Sequence, residues 1–477
     1  MPVSTLYRAE ARHARLGAEF FDVVEAAKFP AHILRHRNQR WAERVGLDTL
    51  TDAEWIAHFG RFEPLPGTFE HPLALRYHGH QFRHYNHELG DGRGFLFAQL
   101  RDVKDGRLLD LGTKGSGQTP WSRRGDGRLT LKGGLREVLA TEMLEALGVE
   151  TSRSFSLIET GEALVRGDEP SPTRSSVLVR LSHSHIRIGT FQRLAFLQDT
   201  QAIARLLEYA IAEYKPEIPE GPIEIRAAAF LEHTARQVAR MGAQWMAAGF
   251  VHGVLNTDNI NITGESFDYG PWRFAPIYDS LFTAAYFDEN GLYSFGRQPN
   301  TLSWNLARLA ECLLPLSSQD LMEKALAIFE PELQREFALS LLRRLGLQPL
   351  SPRENGQFAK AFLEFLVATK APFEQTFFDW YAGPASTGRA ALSPSADLYK
   401  GAEFETLKAR MSEHDITDEA NLHHKYFQQR TPCTMLIDEV EAIWAPIAAS
   451  DDWSVFEAKL AQINTMRDAY QSASSAT

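Results

Sequence analysis

The segment between Gly249 and Gly270 concentrates side chains that could handle a phosphate group and a metal ion. It reads GFVHGVLNTDNINITGESFDYG. Asn259 follows His252 by seven positions, and Asp268 stands nine positions further on. Carboxylate and amide oxygens are the ligands that hard cations such as Mg²⁺ prefer, and group transfer from a nucleotide requires such a cation. The spacing therefore predicts a nucleotide-dependent transfer site with Asn259 and Asp268 as metal ligands.

A similar spacing occurs in the catalytic loop of protein kinases, where H-x-D-x-x-x-x-N precedes a metal-binding D-F-G. One position differs here. Val254 stands where that loop has its catalytic Asp, and a carboxylate occurs instead at Asp258, directly before Asn259. Since valine cannot accept a proton, transfer of the terminal phosphate by the usual base is not expected. Taken singly, Asn259 and Asp268 could equally be turn or helix-capping residues.

Positive charge for phosphate groups is available at three positions. Lys114 ends a predicted strand, and Glu137 lies 23 positions later in a predicted helix. A strand Lys paired with a helix Glu orients the phosphate-binding ammonium in kinases. Arg180 and Arg187 lie on either side of the sequence SHSHI, and guanidinium groups match phosphate oxygens bidentately. The alternative for each residue alone is an ordinary solvated or ion-paired side chain.

Two glycine-rich loops, HELGDGRG at 87–94 and GSGQTPWSRRGDG at 115–127, could bring backbone N–H groups close to anionic oxygens. Neither ends in Gly-Lys-Ser/Thr, so neither is a Walker-type phosphate loop, and hairpin turns use the same residues. Histidines cluster at positions 78, 80, 84 and 87 and again at 183 and 185. Their spacing fits no standard zinc site, so we do not expect them to bind a metal.

Strands precede helices along the chain. Residues 93–113 predict two strands around a turn at Asp105-Gly106. Apolar residues at helical spacing predict a helix from about Leu135 to Leu147, and residues 176–181 predict a buried strand. A long helix is expected near 224–248, a strand is expected to carry Asp268, and a loop is expected at 384–398.

This order predicts an α+β, protein-kinase-like fold with two lobes and a mainly helical C-lobe, although other α+β folds would also fit. We expect an N-terminal extension over 1–70, held to the body by aromatic side chains such as Trp41, Trp55 and Phe59. A nucleotide-binding N-lobe would cover 71–190 and a C-lobe with the catalytic loop 191–385. A helical extension would cover 386–477.

Composition limits the partners. The chain has 477 residues and a formal net charge of −11, so it has no overall attraction for nucleic acids or anionic lipids. No apolar run reaches the roughly 18 residues of a membrane span, and the N-terminus lacks a signal-peptide core. The two cysteines, Cys312 and Cys433, are typical of a reducing compartment. We therefore expect a cytoplasmic monomer with two buried free thiols and neither nucleic acid nor membrane as a partner.

Together the motifs resemble the selenoprotein O family, the YdiU-type protein adenylyltransferases. The matching segments span about 75–275 and occur in the family's order. They are YHGHQF at 77–82, GDGRG at 90–94, KGSGQTPWSRRGDGR at 114–128, LREVLATEMLEALGVETSRS at 135–154, VRLSHSHIRIGTF at 179–191, HGVLNTDN at 252–259 and DYGPW at 268–272.

The resemblance implies a kinase-like (pseudokinase) fold that binds ATP in a reversed orientation and transfers AMP to Ser, Thr or Tyr hydroxyls of proteins. It implies that Asp258 accepts the proton and that Asn259 and Asp268 bind Mg²⁺, or Mn²⁺ in its place. It also implies that Glu137 pairs with Lys114. The residues that would contact the nucleotide are Gly90, Gly92, Arg93, Lys114, Asp126, Gly127, Arg180 and Arg187.

The sequence departs from the family pattern in three places. The loop after Asp279, SLFTAAYFDENGLYSFGRQP, is shorter than usual, and the first glycine-rich loop begins RHYNHELGDGRG instead of WAGQLGDGR. The C-terminus lacks the Cys-containing tail of some members, which puts redox regulation through that tail in doubt. Two alternatives remain, a kinase-like phosphotransferase and a non-catalytic ATP-binding scaffold. Val254 argues against the first, and the intact ion-pair and metal residues argue against the second.

Overall fold

The structure is a computed structural model that describes residues 4–471. Residues 1–3 and 472–477, the outer ends of the two predicted extensions, lie outside the described residues. The strands are β1 (Ala9–Glu10), β2 (Phe21–Val23), β3 (Ile33–Arg37), β4 (Leu73–Leu75), β5 (Gly79–Gln81), β6 (His84–Asn86), β7 (Leu96–Arg101), β8 (Leu108–Lys114), β9 (Leu129–Thr130), β10 (Arg153–Leu164), β11 (Thr173–Ser182), β12 (Phe250–His252) and β13 (Trp272–Phe274).

A nine-stranded antiparallel sheet is built from strands between residues 9 and 182. Its main path runs β2-β4-β7-β8-β11-β10-β3, with β1 beside β7 and β9 beside β11. The predicted hairpin is confirmed, because β7 and β8 flank a turn in which Gly106 adopts a φ of 75°. The predicted strand at 176–181 is the central part of β11, whose side chains are almost all buried.

The N-terminal residues belong to the same sheet. β2 forms one end of the main path and β3 the other, so the predicted extension shares the sheet that carries Lys114. The expected aromatic packing is confirmed: Trp41, Trp55 and Phe59 are buried in one core with side chains of the sheet. Trp55 stacks on Phe155 of β10 with ring centroids 4.9 Å apart.

Helices dominate from residue 188 onward, as expected. Three α-helices precede that point, α1 (Gln39–Arg44), α2 (Asp52–Phe59) and α3 (Leu131–Ala146). The others within 4–471 are α4 (Ile188–Phe196), α5 (Thr200–Tyr214), α6 (Ile223–Ala248), α7 (Gln298–Leu313), α8 (Gln319–Leu326), α9 (Phe329–Arg344), α10 (Pro352–Thr369), α11 (Phe373–Asp379), α12 (Thr387–Ala391), α13 (Ala402–Met411), α14 (Ile437–Ser450) and α15 (Ser454–Gln471). The long helix predicted at 224–248 is α6, and no helix within 4–471 is long and apolar enough to cross a membrane.

Helix α3 begins one turn earlier than the predicted Leu135. Thr130 caps its N-terminus by accepting a hydrogen bond from the backbone N–H of Gly133, 3.1 Å away. Glycine lowers helix propensity, which hid this first turn in the sequence. At its other end α3 is braced by the C-terminal helix α15, because the buried guanidinium of Arg467 binds Glu142 and lies 3.6 Å from Glu145.

Two local predictions were wrong. Residues 384–398 are not a plain loop: they contain a 3₁₀ turn at Gly383–Ser386, helix α12 and most of a 3₁₀ turn at Ala396–Lys400. Side-chain hydrogen bonds stabilise these short turns, such as that from the Ser386 hydroxyl to the Tyr381 carbonyl. Asp268 does not lie on a strand either; it lies before β13 with a φ of 65°.

The mixed architecture, a large antiparallel sheet with many helices, agrees with the α+β prediction. Cys312 and Cys433 are both free and buried, as expected.

Candidate active site

A cleft of 740 Å³ lies between the sheet and the segment that follows α6. Two glycine-rich loops form its outer part, and the ends of β8 and β11 form its base together with the turn after β12. Apart from Glu137, every residue predicted to act on a nucleotide, a metal or a proton lines it. These residues are Gly90, Gly92, Arg93, Lys114, Asp126, Gly127, Arg180, Arg187, Asp258, Asn259 and Asp268.

Lys114 connects the sheet to helix α3 and to the segment that carries Asp268. It is the last residue of β8 and is only 5% exposed. Its ammonium binds Oε1 of the buried Glu137 on α3, and it donates to Oδ1 of Asp268 over 2.8 Å. The other carboxylate oxygen of Glu137 has no hydrogen-bond partner among the described residues. Glu137 therefore lies behind the cleft and acts on it through its ion pair with Lys114.

Asp268 lies where three cations meet. Besides Lys114, its carboxylate faces Arg180 at 3.2 Å and Arg187 at 3.8 Å. Burial acts to raise the pKa of Asp268, but the three cations outweigh burial and hold that pKa well below its usual value. Its left-handed backbone conformation is uncommon for a residue other than glycine. The three cations therefore favour the ionised form of Asp268 at the base of the cleft.

Arg187 contacts both the backbone of Asp258 and the carboxylate of Asp91. It precedes the first residue of α4 and is almost fully buried. Its guanidinium donates to the backbone carbonyl of Asp258 over 3.1 Å and lies 3.7 Å from the carboxylate of Asp91. It also lies 4.1 Å from the ring centroid of Tyr77, a cation–π contact. One buried cation thus fixes the backbone next to the candidate base.

The carboxyl group of Asp258 is buried, and its Oδ1 atom has no hydrogen-bond partner among the described residues. Burial raises its pKa from 3.8 to about 7, although Arg187 partly opposes the rise. Gly79 permits this placement, because a Cβ atom there would stand 2.7 Å from Oδ1. A carboxyl with a pKa near neutrality suits proton transfer.

His252 links the turn after β12 to Phe267, the residue before Asp268. Its Nε2 donates to the carbonyl of Phe267 over 3.2 Å, and its Nδ1 accepts from the N–H of Val254 over 3.3 Å. Burial lowers the pKa of His252 to about 4, so the ring is neutral. Val254 itself lines the cleft. The position that holds a carboxylate in kinases therefore faces the cleft here with an apolar side chain.

Asn259 and Asp268 fit a magnesium ion by their chemistry. The amide nitrogen of Asn259 donates to the Val254 carbonyl over 2.8 Å, which leaves its carbonyl oxygen as an acceptor. Magnesium is usually held by one or two protein carboxylates together with phosphate oxygens and water, so an amide and a carboxylate form a sufficient protein contribution. No group of three or more His, Cys, Asp or Glu side chains within 4–471 could hold a metal ion.

The two glycine-rich loops pack against each other. A Cβ atom on Gly92 would stand 2.8 Å from the carbonyl of Trp121, and the Thr119 hydroxyl donates to the Asp91 carbonyl over 2.6 Å. At the outer end of the cleft, Arg166 from the β10–β11 loop lies 2.8 Å from Asp126. The carboxylate of Asp126 therefore already has a cationic partner.

The histidines serve as hydrogen-bonding groups. His78 Nδ1 bonds with the hydroxyl of Tyr85 at 2.8 Å, and His80 Nδ1 bonds with the side chain of Gln192 at 2.7 Å. His80 is half-buried on β5, and His78 is buried directly before that strand. The Nδ1 atoms of both rings therefore bond to other side chains of the protein.

The sequence did not single out several further residues that line the cleft. They are Tyr77, Gln81, Asp91, Trp121 and Asn256. All five stand inside segments that carry the family resemblance, so membership of a motif was the available signal. Nothing in the local pattern distinguished them from their neighbours.

Comparison with known proteins adds independent findings. The family model described as Protein adenylyltransferase SelO matches residues 4–464. A relative from Synechocystis sp. named Protein nucleotidyltransferase YdiU is 44% identical over 455 residues, which cover 92% of this chain and 94% of the relative. Relatives of the same name from Gloeobacter violaceus and Cereibacter sphaeroides are 46% and 39% identical, covering 94% and 81% of this chain and 93% and 80% of their own lengths.

Proposed function

The chain belongs to the SelO family of protein adenylyltransferases, and from that premise we propose that it transfers AMP from ATP to hydroxyl side chains of proteins. It is a protein nucleotidyltransferase, so its substrates are ATP and another protein. The observation that carries the proposed chemistry is the buried, unpartnered carboxylate oxygen of Asp258, which lies in one cleft with Lys114 and Asp268.

We propose that the fold is kinase-like and has two lobes. The strands within 71–190, which include the strand that ends at Lys114, would form the N-lobe, and the helices within 191–385 would form the C-lobe. Two features support this assignment: the Lys114–Glu137 ion pair between a strand and a helix, and the cleft between the sheet and the turn at Asp258. Residues 1–70 would extend the N-lobe sheet through β1, β2 and β3, and residues 386–477 would be a helical extension whose α15 contacts α3.

ATP would bind with its triphosphate toward the base of the cleft. Arg180 and Arg187 are buried there, 5% and 1% exposed, beside Lys114. Buried guanidinium groups bind phosphate oxygens strongly because little water competes for them. The adenosine would then lie outward, along the glycine-rich loops. The proposed contacts there are Gly90, Gly92, Arg93, Asp126 and Gly127.

Asp258 would remove the proton from the acceptor hydroxyl. The acceptor oxygen forms a bond to the α-phosphorus, and the bond from that phosphorus to the bridging oxygen of the β-phosphate breaks. Pyrophosphate leaves with the bonding electron pair, and the proton stays on Asp258. Lys114, Arg180 and Arg187 would stabilise the charge that develops on pyrophosphate. Val254 offers no base at the kinase position, which favours attack on the α-phosphorus over transfer of the terminal phosphate.

A divalent cation, when bound, neutralises phosphate charge and helps pyrophosphate to leave. Asn259 and Asp268 are the residues that would hold it. Asp268 suits this role because Lys114, Arg180 and Arg187 hold its pKa well below its usual value, which favours the ionised carboxylate that a cation needs.

The test uses ATP labelled at the α- or the γ-phosphate, incubated with the protein and Mg²⁺. Label from the α-position should enter protein, and label from the γ-position should not. Incorporation from the γ-position alone would replace the proposal with a phosphotransferase. No incorporation from either position, with ATP still bound, would point to a scaffold.

A further inference from the structure

The hairpin of β5 and β6 lies directly against the catalytic loop. The backbone N–H of Phe82 donates to the side-chain oxygen of Asn256 over 3.1 Å, and that of His78 donates to the carbonyl of Gly189 over 3.0 Å. A Cβ atom on Gly79 would stand 2.7 Å from Oδ1 of Asp258, so the strand passes close to that carboxyl. The hairpin therefore contacts both the loop that carries the candidate base and the start of α4.

Three hydrogen bonds close a ring between these segments. The N–H of His80 donates to the Thr257 hydroxyl over 2.7 Å, and that hydroxyl donates to Oε1 of Gln192 over 2.6 Å. Nε2 of Gln192 then donates to Nδ1 of His80 over 2.7 Å. Burial lowers the pKa of His80, so the imidazole is neutral and Nδ1 can accept. Each of the three residues thus donates a hydrogen bond to the next one in the ring. Thr257 is completely buried.

The ring fixes the residue next to the candidate base. Thr257 and Asp258 share the 3₁₀ turn Thr257–Asn259, and Gln192 lies on α4 just after Arg187. Arg187 holds the carbonyl of Asp258, while Thr257 is held from the other side by the hairpin and by Gln192. Because the carboxyl oxygen Oδ1 has no partner of its own, its position depends on its backbone. A base displaced by 1 Å loses much of its effect.

We propose that Thr257, Gln192 and His80 are positioning residues that set the location of the Asp258 carboxyl for proton transfer. The proposal rests on the proposed role of Asp258 as the base. The three side chains contribute to the chemical step and little to ATP binding.

The first test replaces Thr257 by Val, which keeps the shape and removes the hydroxyl, and by Ser, which keeps the hydroxyl. Thr257→Val should lower kcat by at least about tenfold while the Kd for ATP changes less than twofold. Thr257→Ser should recover at least half of the lost kcat. The matched control is Thr234→Val, since Thr234 is equally buried but its hydroxyl has no hydrogen-bond partner among the described residues.

A second pair of variants tests the same ring at a less buried position, in case the Thr257 variants misfold. His80 is half-buried, so its substitution is tolerated better than a change in the core. His80→Leu removes the acceptor and should lower kcat, whereas His80→Asn offers an oxygen near the position of Nδ1 and should restore part of it. Equal kcat in the Leu and Asn variants, or a wild-type kcat in Thr257→Val, would overturn the proposal. So would a loss in which ATP affinity falls as much as kcat.

Asp258→Asn separates this inference from the role on which it rests. If Asp258→Asn abolishes transfer but the ring variants do not lower kcat, the base role stands and the ring inference is wrong. If Asp258→Asn leaves transfer intact, Asp258 is not the base, and the ring cannot act by positioning it.

Discussion

Replacing Asp258 by Asn should make the protein more stable and inactive at once. The amide has nearly the shape of the carboxyl group but neither ionises nor accepts a proton. The position is buried, and in the wild type one carboxylate oxygen lacks a partner. The charge that the proposed base role requires therefore destabilises the fold at this position.

The size of the stability change follows from the pKa. Burial raises the pKa of Asp258 from 3.8 in the unfolded chain to about 7 in the folded one. Between those values the folded chain keeps a proton that the unfolded chain releases, so stability falls as the pH rises through that window. At about 1.4 kcal/mol per pKa unit, the ionised carboxylate destabilises the folded state by about 4 kcal/mol above pH 7. Desolvating the new amide costs about 1–2 kcal/mol, leaving a net gain of about 2–3 kcal/mol.

The assay combines urea unfolding with label transfer. Unfolding is measured at pH 5 and pH 8 in the presence of a chelator, so that no metal ion contributes. The gain in Asp258→Asn should be several-fold larger at pH 8 than at pH 5. Transfer of label from the α-phosphate should fall by at least about 100-fold, as expected for loss of a general base.

The control is Asp320→Asn, because the carboxylate of Asp320 is 72% exposed and should change neither property. Retained transfer in Asp258→Asn would show that Asp258 is not the base. A stability gain that does not grow between pH 5 and pH 8 would show that burial of charge at Asp258 is not what destabilises the wild type.

Three further predictions concern the ion pair, a buried lysine and the metal. Glu137→Gln leaves Lys114 bonded to Asp268 alone, so kcat for AMP transfer should fall by at least about tenfold; unchanged steady-state kinetics would contradict this. Burial lowers the pKa of Lys215 from 10.5 to about 7, so Lys215→Met should stabilise the fold by up to about 5 kcal/mol below pH 7. That gain should vanish as the pH approaches 10, and urea unfolding with a constant gain would refute it. Chelation should abolish label transfer and added Mg²⁺ or Mn²⁺ should restore it; activity that persists in chelator would exclude the metal role of Asn259.

Several features of the site could be predicted because their signals are local. The spacing of His252, Asn259 and Asp268 predicts a catalytic loop, and in the structure Asn259 and Asp268 line the same cleft. The pairing of Lys114 with Glu137 was expected from a strand followed by a helix, and the structure joins the two side chains. The hairpin of β7 and β8 and the long helix α6 were predicted from apolar periodicity and turn residues, which act within a few positions.

Other features could not be predicted because they depend on contacts between distant segments. The start of α3 was missed because tertiary packing and the Thr130 cap outweigh the low helix propensity of Gly133. The short helices near 384–398 were missed because hydrogen bonds from side chains such as Ser386 to the preceding segment stabilise them. The pairing of Asp126 with Arg166 joins a glycine-rich loop to a hairpin tip.

By itself, the sequence indicated the reaction class through its family motifs, and it supplied the proposed base, because a valine at position 254 and a carboxylate at position 258 can be read from single positions. Only the tertiary structure decided how far the pKa of each carboxyl group departs from its usual value. Asp258 has a raised pKa because the fold removes its carboxyl from water, and Asp268 has a lowered one because three cations surround it. The ring through Thr257 likewise exists only where three segments meet, because electrostatic and hydrogen-bond energies depend on distance in space and not along the chain.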